Sequence, residues 1–151
     1  MNSTLIVRCI VVLALLPLIL MSVGYAQKKY QEDVFQASGG ELKITFIAHG
    51  TLMLTYAGKI IHVDPVSMYA DYAVLPKADL ILVTHEHGDH LDAKAIQAAS
   101  TSRTAVITNA ASAKGLSNAT VMKNGETKTI AEIQVEAVPA YNLEKPFHRR
   151  Q

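Results

Sequence analysis

The 151-residue sequence predicts an α+β domain, a mixed sheet with helices on an outer face, and three patterns predict it. Residues 41–63 and the stretch after Thr120 alternate apolar and polar side chains with period two, the mark of half-buried strands. Leu80–Thr84 and Thr104–Thr108 are short runs, the first nearly all apolar, and each leads into a helix-forming stretch. The residues beyond the N-terminal leader are enough for one small core, and no internal repeat or low-complexity tract interrupts them.

The leader comes first. Arg8 is the only charge before Lys28, an apolar run extends from Ile10 to Met21, and Ser22-Val23-Gly24-Tyr25-Ala26 closes it with small residues. This is the pattern of a signal peptide over residues 1–26, with export to a periplasmic or extracellular space expected. A retained membrane anchor is the alternative, but Pro17 interrupts the run and a spanning helix needs about 20 apolar residues. Cleavage removes Cys9, the only cysteine, so the mature chain has no disulfide or thiol nucleophile. It also leaves 13 basic against 13 acidic residues, a balance that suggests no face for nucleic acid.

Residues 27–40 are polar and mixed and read as a linker into a Gly39-Gly40 turn; the domain proper is read as 41–151. Glu41–Ala48 is a strand with Leu42, Ile44 and Phe46 on its apolar face, interrupted by His49-Gly50. Thr51–Tyr56 and Ile60–Val63 follow as strands around Ala57-Gly58-Lys59, and Asp64-Pro65 ends the second. His62 is read as a strand residue facing solvent or the helix layer. Val66–Lys77 has no clean period and suits a loop or short helix over the sheet, with Tyr69 and Tyr72 packing and Met53 and Met68 as core or cover. Asp92 is placed to cap a helix over Ala93–Ala99, and a second short helix is expected over Ala110–Leu116. Asn124-Gly125 is a strong hairpin signal between Ala119–Lys123 and Glu126–Ile130, with an antiparallel pattern onward to Tyr141.

The chemistry is concentrated in Thr84-His85-Glu86-His87-Gly88-Asp89-His90. Residues two apart on a strand share a face, so His85 and His87 are expected to aim at one point where the strand ends. Gly88 has access to conformations closed to other residues, and a bend there would turn Asp89 and His90 toward the same pocket. Imidazole and carboxylate suit zinc, with manganese or iron as alternatives. A zinc finger and a helical His-Glu-x-x-His site are both excluded by residue type and spacing.

His85-Glu86-His87-Gly88-Asp89-His90 resembles the His-x-His-x-Asp-His signature of the metallo-β-lactamase-fold superfamily, and Ile61–Pro65 resembles its preceding strand with the terminal aspartate. The resemblance is closer to the ascorbate-6-phosphate-lactonase-like branch, through Ile47-Ala48-His49-Gly50 and Val138-Pro139-Ala140-Tyr141-Asn142. It implies an αββα sandwich with two zinc ions, His85 and His87 on one, Asp89 and His90 on the other. It further implies Asp89 orienting a metal-bound hydroxide, and Asp64 beneath the ligands holding one by a hydrogen bond. His49 is a possible site residue on the same comparison.

The implied reaction is hydrolysis of an ester, lactone or phosphoester in a small-molecule substrate. The later bridging aspartate of Gly-Asp-Thr or Gly-Asp-Ser does not occur, Asn142 stands about where a further ligand is expected, and His148 is the remaining histidine. The sequence is therefore read as the N-terminal half of the sandwich, with poor activity expected of it alone. The alternative is a non-catalytic, truncated metal-binding or membrane-tethered remnant.

Overall fold

The computed structural model describes residues 30–141. Among these described residues nine strands and one α-helix succeed one another: β1 Gln31–Ala37, β2 Gly40–Ala48, β3 Thr51–Tyr56, β4 Lys59–Val63, β5 Leu80–Val83, α1 Ala93–Ala99, β6 Ala105–Thr108, β7 Thr120–Val121, β8 Thr127–Ile130 and β9 Ile133–Glu136. Strands β1 to β7 form one sheet in sequence order, while β8 and β9 form a separate hairpin. The pairs from β1 to β4 are antiparallel and those from β4 to β7 parallel, so the sheet is mixed, as expected.

The two apolar faces of the sheet are covered unequally. On one, Met53, Ile81 and Val83 pack against Tyr72 and Leu75 of the 66–78 segment and against Ala95, Ile96 and Ala99 of α1. Asp92 caps that helix as expected, its carboxylate accepting from the N–H groups of Lys94 and Ala95. On the other face, Ile61, Leu80, Ile107 and Met122 are met by Ile130, Ile133 and Val135 of the β8–β9 hairpin. That second cover is narrow, and Phe46 on the same side stays exposed.

Several expectations are corrected. Within the stretch read as a linker, residues 31–37 form β1, paired with β2 from Gln31↔Phe46 to Ala37↔Gly40. An edge strand exposed along its whole length needs no apolar alternation, so that stretch carries no periodic signal. Its polar side chains serve the ladder instead: Glu32 accepts from Thr45 Oγ1 at 2.9 Å and Lys43 Nζ at 3.2 Å. In β2 the deeply buried side chains are Thr45 and Ile47, not Leu42, Ile44 and Phe46, because the better-covered face of the sheet is the opposite one. Met68 is exposed rather than core or cover.

His62 is fully buried, facing the helix layer and not solvent, with Nε2 2.9 Å from the Pro76 carbonyl and its ring edge-on to Tyr72. A carbonyl only accepts, so the ring proton lies on Nε2. The second helix reduces to a 3₁₀ turn over Ser112–Gly115. Asn124-Gly125 is a turn with Gly125 at φ 85°, yet it joins two different sheets: β7 runs parallel to β6, and β8 pairs with β9. The hairpin itself turns on Ala131 and Glu132, whose φ values of 51° and 66° occur without the glycine or asparagine that signals such a turn.

Candidate metal centre

The carboxyl ends of the parallel strands β4, β5 and β6 deliver Asp64, Thr84-His85 and Asn109 to one edge of the sheet, where open sheets with parallel strands bind ligands. The β2–β3 turn adds His49 and Gly50 to the same edge. A register shift between Phe46 and Ala48 precedes that turn, an irregularity of the kind that re-aims side chains near sites. His49 and Asp64 both occupy the left-handed region, at φ 51° and 45°. Strain of this sort persists where the surroundings over-determine it. Asp64 meets that condition, since its N–H donates to Leu82 O at 2.9 Å and its carbonyl accepts from Thr51 Oγ1 at 2.6 Å.

Asp64 is buried, and its carboxylate gathers the site around it. Oδ1 accepts from the Thr84 N–H at 2.7 Å; Oδ2 accepts from Thr84 Oγ1 at 2.6 Å and lies 2.7 Å from His90 Nδ1. Asp64 is thus hydrogen-bonded to His90. Gly50 leaves room for that ring: a Cβ at Gly50 would lie 2.8 Å from His90 Cε1.

Among the described residues, His49, Asp89 and His90 form a group of candidate donors, one ligand atom from each lying within 4.8 Å of the others. His49 Nε2 is 3.2 Å and His90 Nε2 3.8 Å from Asp89 Oδ2. Tetrahedral zinc with bonds of about 2.0–2.1 Å places neighbouring donors roughly 3.3 Å apart. The His49–Asp89 separation of 3.2 Å matches this and the His90–Asp89 separation of 3.8 Å exceeds it, so the three are candidate ligands of an ion that would draw them closer. The Asp89 carboxyl is held below its ordinary value, first by its own backbone N–H and then by His90 and His49. His85 lies against His90, ring centroids 4.0 Å apart, and His87 meets His85 edge-on at 4.8 Å.

The loop reaches this arrangement by a route the sequence did not indicate. β5 ends at Val83, so His85 and His87 lie in the loop after it rather than on a strand. The loop doubles back because the N–H groups of His90 and Leu91 both donate to His87 O, at 2.9 and 2.8 Å. Gly88 has no positive φ; the left-handed residues of the site are His49 and Asp64. Asn142 and His148 lie outside the described residues. Sequence reasoning gave no role to Gly50, Thr84 or Asn109. Asn109 Nδ2 donates to Thr84 O at 3.1 Å and its Oδ1 accepts from the Ser112 N–H, tying the loop to the end of β6. The available signal was position: like Asp64 and Thr84, Asn109 is a polar residue directly after a strand.

Beside the histidines opens a cleft of about 860 Å³, bordered by Asp64, His85 and His90 and floored by Leu82, Ile107 and Met122.

A mixed sheet with a histidine–carboxylate cluster at its parallel strand ends defines a protein of the metallo-β-lactamase fold. The chain belongs to the beta-lactamase superfamily domain family, whose model matches residues 43–151. Over 76 residues it is 41% identical to a UPF0173 metal-dependent hydrolase of Flavobacterium johnsoniae, covering 46% of this chain and 32% of the relative. It is also similar to the crystal structure of a protein of Parabacteroides distasonis described as a metal-dependent hydrolase. There the TM-score is 0.74 at 57% identity, covering 78% of this chain and 55% of the other. The chain thus spans about half of the solved relative and a third of the curated one.

Proposed function

We propose that this chain carries the metal-binding part of a hydrolase acting on an ester, lactone or phosphoester bond of a small molecule. The observation that carries the reading is the convergence of His49, Asp89 and His90 at the carboxyl ends of the parallel strands. These three would hold one ion, with His85 and His87 adjoining as donors toward a second. Zinc, or manganese or iron in its place, supplies a Lewis acid that polarises the scissile group and makes water more acidic. The protein's own part is orientation. Asp64 would fix the His90 ring through Nδ1, and Asp89 would accept a proton from water at a carboxylate oxygen. The cleft beside His85 and His90 admits the substrate. Export through the leader, residues 1–26, belongs to the same proposal.

Zinc titration of the 151-residue chain, followed by calorimetry and thermal unfolding, tests the reading. An ion bound to the folded state at a hundredfold its Kd stabilises by about 2.7 kcal/mol. His90→Ala is expected to abolish that shift. A chain that folds but binds none of zinc, manganese or iron refutes the proposal, whereas zinc-dependent hydrolysis of p-nitrophenyl esters or a simple lactone extends it to catalysis.

A further inference from the structure

The hydrogen bonds around Asp64 reach beyond His90. A carboxylate only accepts, so each of its partners must donate, His90 through an Nδ1–H and Thr84 through both its N–H and its hydroxyl. The Thr84 hydroxyl has a single hydrogen, directed at Asp64 Oδ2 across 2.6 Å. The same oxygen lies 3.0 Å from His85 Nδ1. With its hydrogen committed to Asp64, Oγ1 meets His85 only as an acceptor, which requires a proton on His85 Nδ1. The opposite assignment would set two acceptors, Oγ1 and Oδ2, against each other at 2.6 Å.

We infer that Thr84 is a positioning residue which relays the hydrogen-bonding preference of Asp64 to His85, so that His85 and His90 share the Nδ1–H tautomer and present unprotonated Nε2 atoms as metal donors. The inference rests on the metal-dependent reading above and adds to it a role for Thr84. One buried carboxylate thereby sets two rings, directly through 2.7 Å to His90 and through one hydroxyl to His85. A ring held by a hydrogen bond at its second nitrogen is fixed in both tautomer and orientation, and loss of such a partner weakens metal binding by about 10- to 100-fold. Asn109 assists from the other side by holding the Thr84 carbonyl.

Long-range 1H–15N correlation of the histidine side chains tests the relay in the metal-free 151-residue chain, at a pH where the imidazoles are neutral. Wild type is expected to show Nδ1–H at both His85 and His90. Thr84→Val, which keeps the shape and removes the hydroxyl, is expected to release His85 from that tautomer while His90 keeps it; Thr84→Ser is expected to restore it. Zinc titration of the same proteins is expected to show a loss of roughly tenfold or more in Thr84→Val and recovery in Thr84→Ser. An Nε2–H His85 in wild type overturns the relay, as does an unchanged His85 tautomer in folded Thr84→Val. Should Thr84→Val not fold, the wild-type and Thr84→Ser spectra decide alone. Zinc binding with the wrong tautomer refutes the relay and spares the metal site; the right tautomers without zinc binding refute the metal site.

Discussion

His90 is held by the Asp64 carboxylate at Nδ1, and its ring occupies the space that a side chain at Gly50 would need. Gly50 has no positive φ, so alanine is acceptable to the backbone there. The objection is steric: the added Cβ would stand 2.8 Å from Cε1 and 3.2 Å from Nδ1, and the ring cannot withdraw without lengthening its bond to Asp64. Gly50→Ala is therefore expected to weaken zinc binding about tenfold or more, and to cost about 1–3 kcal/mol in urea unfolding through overpacking. Undiminished zinc affinity in this variant would show that the His90 position is not critical. The histidine motif was legible from residue types alone. Gly50 was not, because its contribution is an absence of atoms facing a residue 40 positions away.

Among the elements, the elements ending at the site follow from local rules better than those closing the second face. α1 starts where Asp92 can cap it, and the same carboxylate accepts from the Ser67 N–H at 2.9 Å, tying the helix to the segment after β4. Burial opposes the Asp92 charge, but the N–H donors of Ser67, Ala95 and Lys94 outweigh it and lower the carboxyl's pKa. The stability it confers is present above the unfolded value of about 3.9 and is lost as pH falls through the lower folded value. Asp92→Ala is expected to destabilise the fold by about 1–2 kcal/mol at neutral pH, read as a lower urea midpoint. A midpoint matching wild type would mean that packing of Ile96 and Ala99 suffices to hold the helix. By contrast, β1 and the pairing of β8 with β9 escaped the sequence reading, which expected both hairpin strands but set the turn at Asn124-Gly125. The former is an edge without a core face, and the latter turns on Ala131-Glu132, where Lys59 Nζ meets Glu132 Oε2 at 2.9 Å.

For the molecule as a whole, His62 couples stability to pH. Burial pushes its pKa below the ordinary value; the bond to Pro76 works against this, and Lys77 adds to the lowering. The unfolded chain takes up a proton at about pH 6.5, the folded chain only at lower pH, so between the two values the unfolded state holds more protons. The contribution is complete above about pH 6.5 and is lost as pH falls through the folded value. Replacing the imidazole by an amide, in His62→Gln, keeps a donor for Pro76 O and removes the titration. Urea midpoints across about pH 7.5 to 5.5 are expected to fall less steeply in the variant than in wild type. Equal slopes would assign the pH dependence to other groups.

The sequence by itself determined the mixed sheet, the strand ends at Asp64 and Thr84, the capped helix and the residue types of the candidate metal centre. These depend on period, capping and composition, all of which act within a few residues. Only the tertiary structure decided that His49 joins Asp89 and His90, that Asp64 bonds His90, and that Thr84 lies between Asp64 and His85. It also decided which face of β2 is buried and that β7 and β8 belong to different sheets. The physical reason is common to all of these. Each of them depends on residues distant in the chain, which the pairing of the strands brings together.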